Sequence, residues 1–112
     1  MITIEGLRQY GANVEEGLTR CMNQEAFYIK LVEKVLLDPA FENLETTVKE
    51  KDLDGAFEAA HRLKGALANL ALTPLLEPVS EMVELLRNRT EADYTPFLER
   101  IDEKKRELEE MV

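Results

Sequence analysis

The sequence predicts an all-α protein folded as an up-down antiparallel helical bundle, and three observations predict it. Apolar residues recur at spacings of three and four through every patterned segment, the period of a helix with one buried face. No stretch alternates apolar and polar residues as a half-buried strand does. Leu, Glu, Ala and Lys dominate, while Gly (5) and Pro (4) are few and Trp is absent, a balance that favours helix. At 112 residues, 45% of them hydrophobic and 33% charged, the chain suits a single domain with one core.

Residues 2–10, with Ile2, Ile4, Leu7 and Tyr10 apolar, form a short helix or an extended arm that Gly11 stops. Asn13 reads as the N-cap of a second short helix, with Glu16 as the reciprocal partner of a capping box. Val14, Leu18, Cys21 and Met22 make its apolar stripe. Gln24 to Leu37 carries Phe27, Tyr28, Leu31, Val32, Val35 and Leu36 on one helical face. Asp38-Pro39 then supplies a cap and a first helical position for a helix over 40–50 that turns Phe41, Leu44 and Val48 inward.

Asp52 caps the longest helix, 52–71, whose inner stripe is Leu53, Phe57, Ala60, Leu63, Leu67 and Leu70. Thr73-Pro74 opens a helix to Arg87 that buries Leu76, Val79, Met82, Val83 and Leu86. Pro78, one turn in, predicts a ragged or kinked start. Polar residues 88–93 lead to a last helix that starts at Tyr94 or Pro96 and runs to about Met111, with Phe97, Leu98, Ile101, Leu108 and Met111 inward. Connections this short make neighbours antiparallel. The helices of 39–112 are expected to form the body of the bundle, with those of 1–38 flanking it.

Several chemistries are excluded early. A net charge of −9 lacks the Lys/Arg footprint that nucleic acid or an anionic membrane requires. One cysteine, Cys21, permits neither an internal disulfide nor a Cys-cluster zinc site, and one histidine adds no usual ligand set. There is no alternating Asp/Asn calcium loop and no Gly-rich phosphate loop. Ser80 is the only serine, which makes a Ser-His-Asp triad a poor proposal. Nothing around Cys21 suggests the activation that a Cys21–His61 dyad would need. No apolar run nears the ~20 residues of a membrane span and no secretory leader is visible, so the expected location is the cytoplasm.

What remains is His61, the chain's one histidine. It falls roughly 120° from the centre of its helix's inner stripe, together with Lys64, Gly65, Ala68 and Leu72, and is therefore expected at the surface. A neutral imidazole is a competent nucleophile near pH 7. A phosphoryl group on it would gain from the cation of Lys64 one turn away. Gly65 and Ala68 remove side-chain bulk, so another protein's site can reach the ring. A glycine in mid-helix costs roughly 1 kcal/mol against alanine, so close approach is a reason for Gly65. Glu58, one turn earlier, is a candidate to orient the ring, and Arg87 a candidate to steer an acidic partner.

The run Ala60-His61-Arg62-Leu63-Lys64-Gly65-Ala66-Leu67-Ala68-Asn69-Leu70 resembles the signature of histidine phosphotransfer (HPt) domains. That signature is His, Lys at +3, Gly at +4, a small residue at +7, often Asn at +8, and Leu at +9. Val14 to Met22, Tyr28 to Val32, and Leu53-Asp54-Gly55-Ala56 resemble the family's preceding helices, so the likeness covers essentially the whole chain. It implies a four-helix bundle with additional N-terminal helices. It also implies a phosphocarrier that accepts a phosphoryl group from the aspartyl phosphate of one receiver domain and passes it to another.

Carried over by position, His61 is the phosphoacceptor and Lys64 stabilises the phosphate, while Gly65, Ala68 and Leu72 form the docking surface. The implied partners are response-regulator receiver domains and a hybrid sensor kinase, which a monomer would serve. No cofactor is implied beyond the Mg²⁺ that the receiver brings, and the chain is not expected to be an enzyme by itself. Ala71 replaces a glycine common at +10, a change expected to straighten the helix end. Ala66 and Leu67 replace small, often hydroxyl-bearing residues. The alternatives are a helical adaptor that binds receivers without phosphorylation, and a small hydrolase using His61 as base. The intact His61/Lys64 pair argues against the first, and the lack of a pocket-forming constellation against the second.

Overall fold

The computed structural model describes residues 1–112 as seven helices and no strand: α1 (Ile4–Tyr10), α2 (Val14–Arg20), α3 (Glu25–Val35), α4 (Ala40–Lys49), α5 (Leu53–Asn69), α6 (Thr73–Arg87) and α7 (Thr95–Glu109). Helices α4 to α7 close on one another. α5 packs between α4 and α6, α7 packs on α6, and Lys105 of α7 lies over the Phe41 ring of α4 at 5.0 Å. Links of three residues, 50–52 and 70–72, join α4 to α5 and α5 to α6, which makes each pair antiparallel. The molecule measures 40 × 24 × 20 Å. A 17-residue helix such as α5 is only about 26 Å long, so the early helices add length beyond its end.

The ends are set by local chemistry. Asn13 Oδ1 accepts the Glu16 N–H at 3.3 Å, and Asp52 Oδ1 accepts the Gly55 N–H at 3.0 Å. The capping box is only half formed. Glu16 bonds the Asn13 side-chain amide at 3.1 Å, because the Asn13 backbone N–H is spent on the Ala71 carbonyl at 2.9 Å. Asp38 accepts the Ala40 N–H at 2.9 Å and so caps α4 with Pro39 at the cap position itself. Thr73 is the first residue of α6 rather than its cap, a place taken by Leu72. Gly11 ends α1 at φ 108, the left-handed region where a Cβ is costly.

Pro78 does not break α6, which runs unbroken from Thr73 to Arg87 with the proline ring buried. The lost N–H frees only the carbonyl of Pro74, which stands at the half-exposed start of the helix. The helical end after α5 also departs from expectation. Ala71 adopts φ 54, so it does what a glycine would do there instead of straightening the helix. Its N–H bonds the Ala68 carbonyl at 3.1 Å and the Leu72 N–H bonds the Leu67 carbonyl at 3.1 Å, the paired bonds of a Schellman cap.

The core runs through Ala56, Ala60, Leu63, Leu67, Leu75, Val79, Met82, Val83, Leu86, Ile101 and Leu108. Leu75 replaces the expected Leu76, and Met22 is 70% exposed rather than inward because Met22 and Asn23 turn left-handed after α2. Phe27 is also exposed. Tyr28 is the deepest link between the early helices and α5. Its hydroxyl donates to the Leu70 carbonyl at 2.7 Å. Burial, helped by Cys21 and Glu15, pushes its pKa up to about 12. Gly17 makes room for it, since a Cβ there would lie 2.5 Å from the ring.

Candidate functional site

Helix α5 presents one open face, and the physics of side-chain direction decides what lies on it. Helical side chains lean toward the N-terminus, so each covers the turn before its own Cα. The His61 ring therefore leans onto Phe57. The two rings stack with centroids 5.5 Å apart and planes 16° off parallel. His61 is exposed, and no side-chain hydrogen bond or ion pair of the chain involves its imidazole. A side chain at position 65 would lean back over that ring. Gly65 provides none, and a Cβ built there finds nothing within 4 Å. The imidazole is thus supported on one side and uncovered on the other.

Two cations approach from this face. Lys64 is half-buried, with Nζ 3.9 Å from Glu84 Oε1. Arg87 comes from α6, its Nε 3.8 Å from the same Glu84 oxygen and its Cζ 5.6 Å from the Phe57 ring centroid. Glu84 thereby holds two positive charges at long range beside the histidine. Both contacts are loose and partly exposed, so each is worth little as a static salt bridge, and both cations can swing to a stronger anion. On the α4 side of His61, Arg62 Nε bonds both oxygens of Asp38 at 3.2 and 3.3 Å. A groove of about 570 Å³ runs there past Leu31, Leu37, Asp38, Arg62, Ala66 and Asn69, with Leu37 83% exposed.

The far end of α5 is tied down by the early helices. The Arg20 guanidinium donates to the Ala68 carbonyl, Tyr28 to Leu70 and Asn13 to Ala71. The Ala68 and Leu70 carbonyls belong to the last four of the helix, which lack an i→i+4 amide, and Ala71 follows directly. Satisfying them fixes the end of the helix that carries His61.

Of the residues expected at the site, His61, Lys64 and Gly65 share the open face, Ala68 is half-buried at its edge, and Arg87 reaches it from α6. Two others do not belong. Leu72 is fully buried; the left-handed turn at Ala71 rotates it off the α5 face, and it packs inside as the apolar partner that a Schellman cap brings against Leu67. Glu58 makes no hydrogen bond to His61. It borders a groove between α4 and α5 with Asn43, Thr47, Ala59 and Arg62. Cys21 is 1% exposed and contributes nothing to this surface.

Phe57 is expected on the inner stripe of α5. The centre is Ala56, Ala60, Leu63 and Leu67, all fully buried, with Phe57 only partly so. Its position four residues before His61 was the signal that could have found it. Glu84 gave no comparable signal, being one of three exposed carboxylates on α6 with Glu77 and Glu81.

The surface thus has one uncovered histidine, a lysine one turn on and a glycine where cover would be. The model of the Hpt domain matches residues 35–112. The chain belongs to the Hpt domain family. No curated protein and no solved structure matches it. An Hpt domain has a histidine phosphotransfer role in phosphorelays and interacts with response-regulator receiver domains. The Hpt match contains all of α4 to α7, and with them His61, Lys64, Gly65 and Arg87. No helix of the chain is long and apolar enough to cross a membrane.

Proposed function

We propose that the chain is a phosphocarrier that takes a phosphoryl group on His61 from the aspartyl phosphate of one receiver domain and delivers it to another. The observation that carries this is the uncovered imidazole: His61 is the chain's one histidine, and its open side faces the empty space at Gly65. A lone pair of the neutral ring attacks phosphorus, and the P–N bond forms as the P–O bond to the aspartate breaks. The carboxylate leaves with the electron pair, and the proton on the ring's other nitrogen passes to water. Lys64 and Arg87 then turn from Glu84 to the new phosphoryl oxygens, which are the stronger acceptors.

The Mg²⁺ that would offset the phosphoryl charge would come with the receiver. On this chain no group of three or more His, Cys, Asp or Glu side chains is placed to hold a metal ion, so none of its residues is assigned that task. The α3–α5 groove and the bare Gly65–Ala68 edge provide the docking surface. Residues 39–112 are the phosphotransfer body, and 1–38 buttress the C-terminal end of α5. The cytoplasm is the compartment where such partners are met.

The test is incubation with a phosphorylated receiver domain and analysis of the transferred label. Acid-labile, base-stable phosphate on the native chain and none on His61→Gln is the expected result. Absence of transfer from every receiver tried, with binding retained, would replace this reading by that of an adaptor.

A further inference from the structure

We infer that Phe57 is a positioning residue for phosphoryl transfer: its ring fixes the plane of the His61 imidazole and also carries the Arg87 guanidinium. The inference rests on the phosphocarrier reading and adds to it the group that aims the nucleophile. An exposed histidine ordinarily turns freely about its side-chain bonds, and an attacking nitrogen must meet phosphorus along one direction. Here no hydrogen bond restrains the ring. The one contact that does is the stack on Phe57, nearly parallel at 16° and 5.5 Å. Phe57 itself is held, being partly buried against the core, so it acts as a fixed plate rather than a second mobile ring.

The same plate carries the guanidinium of Arg87 at 5.6 Å from its centroid, within the range where a cation is drawn to an aromatic face. Arg87 is on α6 and His61 on α5, so Phe57 joins the two helices here alongside the Lys64–Glu84 pair. Removing the ring frees the imidazole and leaves Arg87 with only its loose contact to Glu84, while Lys64 and Gly65 stay as they are.

Phe57→Leu keeps an apolar side chain at the half-buried site, and Phe57→Tyr keeps the ring. Two measurements are made on the full chain, with thermal melts as a folding control. In proton NMR the His61 ring protons feel the Phe57 ring current, so their shifts should move toward free histidine in Phe57→Leu and stay native in Phe57→Tyr. In single-turnover transfer from a phosphorylated receiver, Phe57→Leu should be about threefold to tenfold slower, the range a single stacking contact supports. Its affinity for the receiver should be unchanged, and Phe57→Tyr should restore the rate.

Unchanged ring shifts or an unchanged rate in Phe57→Leu, with the native chain transferring normally, overturns this inference and leaves the phosphocarrier reading intact. A loss of rate matched by loss of receiver binding overturns it as well, since that is what a docking residue would do. If the native chain itself takes no phosphoryl group from any receiver, both fall together.

Discussion

Substituting Gly65 with alanine adds a methyl group where nothing lies within 4 Å of the ideal Cβ, so no neighbour has to move. What changes is the backbone. Glycine in an exposed helix interior is about 1 kcal/mol worse than alanine, and position 65 lies well inside the helix running from Leu53 to Asn69. Unfolding a chain of this length carries an entropy of roughly 0.24 kcal/mol/K, so Gly65→Ala should raise Tm by about 4 °C. Gly65→Gln should recover about half of that gain.

Function should move the other way. A side chain at 65 leans over His61, its Cβ about 5–6 Å from that of the histidine, and glutamine is long enough to lie across the ring. In-line attack needs the nitrogen within about 3–3.5 Å of phosphorus, and a misplacement of about 1 Å can cost a hundredfold. Gly65→Gln should therefore transfer at least about a hundredfold more slowly, and Gly65→Ala to an intermediate extent. Circular-dichroism melts and single-turnover transfer from a phosphorylated receiver read the two effects on the same samples. A lower Tm for the alanine variant would refute the open space. Transfer by the glutamine variant within threefold of native would refute the claim that Gly65 keeps the ring uncovered.

Lys64→Ala should slow transfer or shorten the lifetime of phosphohistidine by about tenfold to a hundredfold, the worth of one charge-assisted hydrogen bond. Its melting temperature should hold, because the Glu84 contact at 3.9 Å is loose and solvated. Ala71→Gly should be about 1 kcal/mol more stable by urea titration, since Ala71 sits at φ 54 where a Cβ costs about 1–2 kcal/mol; a loss would show that its methyl packs favourably. Stability should fall as pH rises from 10 toward 12. Folding holds Tyr28 neutral, with a pKa of about 12 against its ordinary 10.0; its contribution is complete below pH 10 and lost as the folded form ionises. The loss across that window should be on the order of 1–3 kcal/mol, and Tyr28→Phe should flatten that part of the alkaline stability curve.

Much of this fold is legible in the sequence because helices are written locally. Asn13, Asp38 and Asp52 act on backbone amides two or three residues away, and the three-and-four spacing of Leu63, Leu67 and Leu70 needs no distant partner to be read. The site is legible for the same reason: His61, Lys64 and Gly65 lie within five consecutive residues, and helical geometry alone puts them on one side. Errors arise where a residue's surroundings come from another element. Leu75 rather than Leu76 is buried because α6 is rotated by its packing on α5 and α7. Phe57 sits at the core's edge because Ala56 and Ala60 hold the inward positions of α5 against its neighbours.

The Schellman cap at Ala71 marks the boundary between the two kinds of information. Alanine has no preference for φ 54, so nothing in its identity announces a left-handed turn. That conformation is held by the packing of Leu72 inside and by the early helices bonding the last carbonyls of α5. Taken alone, the sequence determined an all-helical bundle and a histidine, a lysine and a bare position on one helical face, because each depends on spacing within one helix. Only the tertiary structure decided that Leu72 is core, that Glu58 lines the α4–α5 groove, and that Phe57 stacks on the histidine while Glu84 and Arg87 approach Lys64 and Phe57 from α6. Those relations join α5 to α6, and the rotation of one helix against another is set by the fit of whole faces.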